Sequence, residues 1–390
     1  MPPTPPAVHA APRAAPNEAP RAACVFHHPA PVRAGGRSGS QVRPYQMLRA
    51  FEETGYEVWA ITGTARERAR AARRVWRHLR SGGTFAFAYG ETHSLPAALT
   101  EPHHVPTHPL LEARIFSALA RHRVPSGVFY RDVFWRFRAL SHEGVVERQV
   151  ARAFHTWDWQ VFRRHVDHLF LPSLGVAEHL PGRWPRSLSA LPPGATGDAP
   201  PRTAAREARP LELLYVGGVK PPVYDLRPTF AFAAATRGVR VTLCCRQEEW
   251  AGIAHAYEVP ANVRIVHASG GELDRLYDEA DAVVIAWEAT TYLSFAMPVK
   301  VAEAITHGVP IITTPGTETA RFVEREGLGW VVDDAAGFGS LVAMLTAKRE
   351  VLDAAYRAVW EARARHAWTA RAREVAATLT RTTGADDAPN

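Results

Sequence analysis

Residues 287–315, with the sequence WEATTYLSFAMPVKVAEAITHGVPIITTP, decide the fold of the second half of the chain. The pattern predicts a loop, a helix over 297–307 and a buried strand over 309–313. Pro298 suits the first turn of that helix, where its missing N–H would be unpaired anyway, and Gly308 suits the left-handed position after the last turn. A helix that leads directly into an apolar strand is typical of a parallel α/β sheet.

Lys300 and Glu303 lie three residues apart and therefore share one face of this helix, close to its free N-terminal N–H groups. A cation beside such N–H groups is typical of a phosphate site. A carboxylate one turn further along accepts hydrogen bonds from sugar hydroxyls, which a site for phosphate alone does not need. The same spacing also fits an ordinary ion pair on a helix surface, and the spacing alone does not separate the two interpretations.

The segment resembles the donor-binding segment of GT-B glycosyltransferases. The residues that carry the resemblance are Tyr292, Leu293, Pro298, Lys300, Glu303, Gly308 and Pro310. The resemblance implies that Lys300 faces the diphosphate of a nucleotide sugar and that Glu303 holds the nucleotide ribose. The retaining family-4 type has a second glutamate upstream, where this chain has Phe295. The spacing is also similar to that of the inverting xanthan glucuronosyltransferase type, so the stereochemistry stays open.

Length and composition indicate two domains. At 390 residues the chain exceeds one ordinary domain, and 46% hydrophobic residues suffice for two buried cores. Abrupt changes in Pro, Gly, Ala and charge mark the linker and the termini. We expect a disordered leader over 1–21, an N-terminal acceptor domain over 22–191, a linker over 192–210 and a donor-binding domain over 211–349. The resemblance implies that C-terminal helices over 350–380 pack back on the N-terminal domain, and a disordered tail is expected over 381–390.

The charge and the cysteines restrict partners and compartment. A net charge of +7 predicts an anionic partner, such as a nucleotide, an anionic lipid or a nucleic acid. The three cysteines, of which Cys244 and Cys245 are adjacent, provide no disulfide framework and favour reduced thiols in a cytoplasmic protein. No apolar run in the sequence is long enough to span a bilayer.

A basic helix is predicted over 64–80, with Trp76 on a narrow apolar seam. Such a helix can lie on the anionic inner face of a membrane, with its arginines at the headgroups and the tryptophan at the interface. It can equally be a solvated helix that packs on its own sheet. The first interpretation adds peripheral membrane association to the expected cytoplasmic location.

The first strand, over 22–27, precedes a glycine-rich loop and an amphipathic helix. Glycines such as Gly39 let the backbone approach a ligand closely, and Arg43 follows them, although a flexible surface loop gives the same pattern. A further strand over 84–89 is followed by Glu91. Polar groups at the carboxyl end of a parallel sheet face the ligand crevice, so both side chains are candidates for acceptor binding.

Arg131 and Asp132 follow the strand predicted over 126–130. An acceptor hydroxyl must lose a proton to attack an anomeric carbon, and a positioned carboxylate is the usual general base. The segment resembles the catalytic-aspartate region of the xanthan glucuronosyltransferase type, although here the aspartate follows the YR pair sooner. The resemblance makes Asp132 the candidate base and Arg131 an acceptor residue, with a structural ion pair between the two as the alternative.

The sequence ELLYVGG, residues 212–218, places a glycine pair after the first strand of the second half. Gly217 and Gly218 permit close approach to a ligand, and the resemblance implies that a basic residue in this loop contacts the donor diphosphate. Lys220 and Arg227 are the candidates, and Lys220 is preferred because it is nearer the glycines. Tyr292 completes the expected donor residues. No Asp-x-Asp pair occurs in an apolar setting, so we expect lysine and the helix dipole to stabilise the leaving diphosphate without a metal ion or other cofactor.

We therefore interpret the chain as an α/β protein with two Rossmann-like, doubly wound parallel-sheet domains facing a cleft. The resemblance implies a nucleotide-sugar glycosyltransferase that uses a sugar or lipid-linked acceptor in cell-surface polysaccharide or glycolipid assembly. Two alternatives stay open. One is a sugar-nucleotide epimerase on the same fold. The other is a non-catalytic basic protein that binds nucleic acid, although no recognisable nucleic-acid motif accompanies the charge.

Overall fold

A computed structural model describes residues 21–36, 38–137, 144–197, 201–203 and 209–381. The leader and tail expected from the sequence lie almost entirely outside these ranges. Two six-stranded sheets form the centres of two α/β domains, and every strand pair in them is parallel. The predicted fold class is therefore confirmed.

The strands of the first sheet are β1 (Ala23–His27), β2 (Glu57–Ile61), β3 (Phe87–Glu91), β4 (Ser126–Phe129), β5 (His168–Leu171) and β6 (Ser187–Ala190). Those of the second sheet are β7 (Leu211–Val216), β8 (Val239–Cys244), β9 (Val263–Val266), β10 (Ala282–Ile285), β11 (Ile311–Thr313) and β12 (Gly329–Val331). The helices are α1 (Gly39–Glu53), α2 (Ala65–Arg80), α3 (Leu111–Arg121), α4 (Val145–His165), α5 (Arg227–Ala235), α6 (Gln247–Ile253), α7 (Gly271–Glu279), α8 (Val299–Thr306), α9 (Glu318–Glu326), α10 (Ala335–Ala347), α11 (Arg349–His366) and α12 (Trp368–Arg381).

The first sheet has the strand order β2-β1-β3-β4-β5-β6. Helices α2, α3 and α4 cover one of its faces through a common apolar core that buries Val75, Phe116 and Phe162. Helices α1 and α12 cover the other face, where Met47 and Leu379 are buried in a second core. Both faces are thus closed, which is why the strands read as continuous apolar runs in the sequence.

The second sheet has the strand order β12-β11-β10-β7-β8-β9. Its order reverses between β7 and β10, and ligands of doubly wound sheets bind outside the carboxyl ends of the strands at such a point. The loop with Gly217 follows β7, and the loop that begins at Trp287 follows β10. The topology therefore places two of the predicted donor segments side by side.

Two strand predictions were wrong. The segment SLSA at 187–190 forms β6, which the sequence pattern does not predict because this edge strand is half exposed and lacks an apolar run. The strand expected over 84–89 forms over Phe87–Glu91 instead. Glu91 is therefore the buried last residue of β3 rather than a polar residue beyond its end.

The C-terminal helices divide between the domains, whereas the sequence analysis expected them to pack together on the first. Helix α11 packs against α8 and α10, burying Tyr356 and Val359 in the second domain. Helix α12 packs against α1, burying Val375 in the first domain. The two helices separate because Ala367 has an extended backbone, with φ −62° and ψ 151°.

The chain crosses between the domains at two neighbouring places, once in the linker and once between α11 and α12. The N–H of Ala195 donates to the carbonyl of His366 at 2.7 Å, and the N–H of Trp368 donates to the carbonyl of Ala195 at 3.1 Å. The two crossings are therefore hydrogen-bonded to each other.

Helix α2 packs on its own sheet. Its apolar seam, which includes Ala72 and Leu79, is buried, and Trp76 packs against the same core. The seam is thus already in contact with protein, and Trp76 is partly buried, as the solvated-helix interpretation expects. Contact of this helix with a membrane stays a prediction. The face that remains in solvent consists mainly of arginines.

All three cysteines of the chain are buried and unpaired. Over the residues that the structure describes, we find no helix with both the length and the apolar character needed to cross a membrane.

Candidate functional site

A cleft of about 550 Å³ lies between the two domains. Its walls come from residues that follow β4 and β5 in the first sheet and β7, β8 and β10 in the second, so it faces the carboxyl ends of both sheets. Every site residue expected from the sequence except Glu91 lines this cleft. These residues are Gly39, Arg43, Arg131, Asp132, Gly217, Gly218, Lys220, Tyr292, Lys300 and Glu303.

Lys300 crosses directly over the glycine pair after β7. A Cβ atom on Gly217 would overlap the lysine side chain, and Gly217 also has a left-handed φ of +132°. A Cβ on Gly218 would come within 2.9 Å of the ring of Tyr224. Position 217 therefore favours glycine through its backbone conformation, and at both positions a larger residue would displace the neighbouring lysine or tyrosine side chain.

The Lys300 ammonium lies among three aromatic rings. Its Nζ is 5.0 Å from the ring centre of Tyr215 and 4.6 Å from those of Tyr224 and Trp287. It is shielded from solvent and has no hydrogen-bond partner among the described residues. Burial lowers the pKa of Lys300 to about 7, although the charges of Glu303 and Glu249 act in the opposite direction. A shielded, unpaired cation of this kind is suited to an anionic ligand.

Glu303 lies on α8, one turn after Lys300, and its Oε2 accepts a hydrogen bond from the hydroxyl of Tyr277 at 3.1 Å. Tyr277 in turn stacks on His307, with ring centres 4.3 Å apart. Burial raises the pKa of Glu303, and the tyrosine hydrogen bond opposes that rise. The carboxylate is therefore held in place at the cleft, with acceptor capacity left for a ligand hydroxyl.

The sequence analysis missed two charged residues of the second domain. Arg246 and Glu249 line the cleft and form an ion pair with each other, and Oε2 of Glu249 has no hydrogen-bond partner in the described part of the chain. Arg246 comes one residue after Cys245, at the carboxyl end of β8. The rule that selected Asp132 at the end of β4 would also have selected this arginine.

Asp132 contributes a carboxylate from the first domain. Its Oδ1 accepts from the N–H of Phe134 at 2.8 Å, and its Oδ2 accepts from the hydroxyl of Tyr292 at 2.7 Å. Burial raises the pKa of Asp132, while these hydrogen bonds and the neighbouring Arg131 lower it. The alternative to a catalytic role was a structural ion pair between Arg131 and Asp132. No such pair occurs among the salt bridges of the described residues.

Arg43 and Glu91 form a buried pair, with Nε and Oε1 3.2 Å apart. The guanidinium lies 3.5 Å from the centre of the Phe129 ring, and the hydroxyl of Tyr89 donates to Glu91 at 2.9 Å. Arg43 still borders the cleft, whereas Glu91 lines a smaller space behind Asp132. The structure therefore places Glu91 behind the wall of the cleft, in contact with Arg43.

Phe295 stands where the retaining pattern would have a glutamate, and it is buried in the core of the first domain. Its ring packs 4.4 Å from that of His179 and 5.6 Å from that of Phe137. The hydroxyl of Ser173 donates to its carbonyl at 2.6 Å. This loop of the second domain is therefore attached to the first domain by a side chain that does not line the cleft.

A search for metal sites covered the described ranges only. Within them, no group of three or more His, Cys, Asp or Glu side chains is arranged to hold a metal ion.

The fold and the cleft together define a two-domain α/β protein with a buried lysine at the switch point of its second sheet. HepE of Anabaena, in complex with UDP, matches 92% of this chain and 99% of its own at 10% identity, with a TM-score of 0.58. Sucrose-phosphate synthase from Thermosynechococcus elongatus matches 94% and 100% at 14% identity, with a TM-score of 0.57. AviGT4, a glycosyltransferase involved in avilamycin A biosynthesis, matches 93% and 98% at 17% identity, with a TM-score of 0.51.

No protein-family model and no curated protein sequence matches the chain. At these low identities the structural matches establish the fold, and the chain has the GT-B fold of glycosyltransferases.

Proposed function

We propose that the protein transfers a sugar from a nucleoside-diphosphate sugar to a hydroxyl acceptor. The observation that carries this proposal is the unpaired ammonium of Lys300, shielded from solvent beside the glycine pair and at the start of α8. A diphosphate supplies the negative charge that this cation lacks, and it also suits the free N–H groups of the helix start. The fold, shared with glycosyltransferases, supports the same function.

The donor is placed on the second domain. Lys300, Lys220 and the N-terminus of α8 hold the diphosphate, and Glu303 accepts hydrogen bonds from the nucleotide ribose. Arg246, which pairs with Glu249, lies at the same wall. These groups stabilise the charge that gathers on the diphosphate as it leaves, and they act best in a cleft that excludes water.

Asp132 is the general base. As the acceptor oxygen attacks the anomeric carbon, its proton moves to the Asp132 carboxylate and a new carbon–oxygen bond forms. The bond from the anomeric carbon to the diphosphate oxygen breaks, and the diphosphate keeps the electron pair. Phe295 places no carboxylate in the cleft at the position used by retaining enzymes. We therefore propose a single displacement with inversion, which NMR of the product's anomeric configuration tests.

A thermal-shift screen against nucleoside diphosphates and their sugars tests the donor site. A ligand that binds the folded protein raises its melting temperature by mass action. We expect one nucleotide to raise the melting temperature of the wild type. The variants Lys300→Ala and Glu303→Ala should lose this shift. The control Lys348→Ala, which removes an exposed lysine, should retain it. A wild type that no nucleotide stabilises at millimolar concentration would contradict the proposal. Incubation of the stabilising nucleotide sugar without acceptor, followed by NMR, separates slow hydrolysis from epimerisation.

We also propose that the acceptor is lipid-linked and that the protein docks on an anionic membrane surface. Helices α2, α3 and α4 cover one face of the first domain. On α4 the side chains of Val146, Val150 and Trp157 share one helix face and are 76%, 43% and 41% exposed. Exposed arginines occur on all three helices of this face. They are Arg66, Arg70, Arg73, Arg74, Arg77 and Arg80 on α2, Arg114 and Arg121 on α3, and Arg152 and Arg164 on α4.

Vesicle sedimentation tests the membrane proposal. We expect binding to vesicles that contain phosphatidylglycerol and none to pure phosphatidylcholine, because the attraction is electrostatic. Replacing Arg73, Arg74 and Arg77 together by glutamine should abolish binding. A control with glutamine at three exposed arginines of the second domain, Arg237, Arg264 and Arg275, should retain it. Equal binding of both triple variants would overturn the proposed surface.

A further inference from the structure

The hydroxyl of Tyr292 makes a hydrogen bond that crosses the cleft. It donates to Oδ2 of Asp132 at 2.7 Å, although the two residues are 160 positions apart and belong to different domains. The expected role of Tyr292 was donor binding. In the structure, its polar atom is instead engaged with the candidate base on the acceptor side.

The position of this hydroxyl is fixed by the turn on which Tyr292 lies. The N–H of Ala296 donates to the carbonyl of Tyr292 at 3.0 Å, which closes the turn. The Tyr292 ring packs edge-on against Phe295 and Phe137, with ring centres 5.4 and 6.0 Å apart. The turn is part of the second domain in sequence, but the buried side chain of Phe295 attaches it to the first domain.

The Asp132 carboxylate is thereby held at both oxygens. The N–H of Phe134 occupies one site on Oδ1, and the Tyr292 hydroxyl occupies one site on Oδ2. Each carboxylate oxygen accepts two hydrogen bonds, so Oδ2 retains a position for the hydroxyl of an acceptor. The tyrosine therefore orients the carboxylate without blocking it.

We propose that Tyr292 is a positioning residue that holds the Asp132 carboxylate ready for proton abstraction only while the two domains are together. The inference rests on the proposed function, since it takes Asp132 as the base. The backbone of Val133 and Phe134 and the charge of Arg131 act on Asp132 from its own domain, whereas the Tyr292 hydroxyl comes from the other domain. Separation of the domains would remove the tyrosine hydroxyl and leave Oδ2 without this hydrogen bond. The base is then competent only in the closed cleft, where water cannot compete with the acceptor.

The charged and titratable groups near Asp132 decide the sign of the effect. Tyr130 and Arg131 belong to its own segment, and Tyr224 and Tyr292 approach from the second domain. The small space beside Asp132 is also lined by further titratable side chains of the first domain, which are His27, Glu91, His93, His155 and Asp158. Among these, the Tyr292 hydroxyl is a hydrogen-bond donor to the carboxylate, and a donor favours the ionised form. Loss of the hydroxyl should therefore raise the pKa of Asp132.

The first experiment measures the titration of Asp132 by NMR in protein labelled with ¹³C-aspartate. The Asp132 signal is assigned by its absence in Asp132→Asn. We expect Tyr292→Phe to raise the pKa of Asp132 by about one pH unit, the value of a hydrogen bond to a charged group. Phe295→Ala, which keeps the hydroxyl but removes the anchor of the turn, should shift it in the same direction. An Asp132 pKa that is unchanged in both variants would overturn the proposal.

Tyr257→Phe is the matched control, because the Tyr257 hydroxyl also donates to an aspartate, Asp225, at 3.2 Å but lies outside the cleft. It should leave the Asp132 titration unchanged. A calorimetric titration with UDP as probe then separates the two roles of Tyr292. A positioning role leaves UDP affinity unchanged in Tyr292→Phe, whereas a tenfold loss of affinity with an unchanged Asp132 pKa would return Tyr292 to donor binding. The NMR titration needs no activity, so its result is independent of whether the proposed reaction is correct.

Discussion

The two walls of the cleft differ in how their candidate reactive groups, Asp132 and Lys300, are held. On the wall of the first domain, both oxygens of Asp132 accept hydrogen bonds and Arg43 forms an ion pair with Glu91, although Nη1 of Arg131 has no hydrogen-bond partner among the described residues. On the wall of the second domain, the Lys300 ammonium is shielded from solvent and has no hydrogen-bond partner among the described residues. Unpaired buried charge destabilises a fold, so it persists where a ligand supplies the missing partner. The proposal therefore assigns the missing anion to the Lys300 wall, whereas the carboxylate of Asp132 is already held in place by its hydrogen bonds.

The largest expected effect on the rate of transfer comes from Asp132, on the wall of the first domain. Asp132→Asn removes the proposed base and should lower the rate of transfer by about 10² to 10⁴-fold, the usual contribution of general base catalysis. Nucleotide binding should persist, because the donor wall is untouched. Asp278→Asn, at an exposed aspartate, provides the control. Initial rates together with calorimetry check this, and a simultaneous loss of nucleotide binding would show that the two walls do not act separately.

The next effect concerns Lys300, on the wall of the second domain, whose replacement should abolish nucleotide binding but stabilise the folded protein. Lys300→Met removes a buried unpaired cation, so it should abolish nucleotide binding and yet stabilise the folded protein by about 1–3 kcal/mol, the cost of an unsatisfied buried polar group. Calorimetry and thermal unfolding measure the two quantities. A fall in melting temperature together with retained binding would mean that Lys300 is a structural residue.

The lowered pKa of Lys300 predicts a pH dependence of donor binding. Below its pKa of about 7 the free site carries the ammonium charge, and above that value the charge is lost. A bound diphosphate favours the charged form and raises the pKa, so binding takes up a proton at higher pH. Affinity for a nucleotide sugar should therefore fall by about tenfold per pH unit above pH 7 until the pKa of the bound state is reached. Calorimetric titrations from pH 6 to 9 test this.

Lys300→Arg sharpens the same test, because arginine stays protonated over this pH range. Any affinity that this variant retains should be independent of pH above 7. A pH dependence that is the same in the wild type and in Lys300→Arg would assign the titration to another group.

The smallest expected effects come from two glycines of the second domain. Gly217→Ala places a methyl group against Lys300 at a left-handed φ, so it should cost about 1–3 kcal/mol of stability and weaken nucleotide binding. Gly252→Ala, in helix α6, meets no atom within 4 Å and should stabilise the protein by up to about 1 kcal/mol. Chemical denaturation measures both changes. Equal effects of the two substitutions would show that the approach of Lys300 to Gly217 is not tight.

The sequence allowed prediction of the strands whose apolar runs are buried on both faces, and of polar residues such as Asp132 that come directly after them. It did not predict β6, whose exposed edge leaves no apolar run. Pairings across the cleft, such as that between Tyr292 and Asp132, depend on how the two domains meet. The pairing of Arg43 with Glu91 depends on the neighbouring positions of α1 and β3. Neither pairing leaves a local pattern in the chain.

The hydrogen-bonded crossing at Ala195 and Ala367 has a mechanical consequence. Two separate connections between bodies would allow each to bend and twist on its own, but here the backbone bonds make them a single narrow strap. We therefore expect the cleft to open and close by rotation of one domain about an axis that passes through this strap, so that the same pairs of atoms on the two walls meet again after each opening.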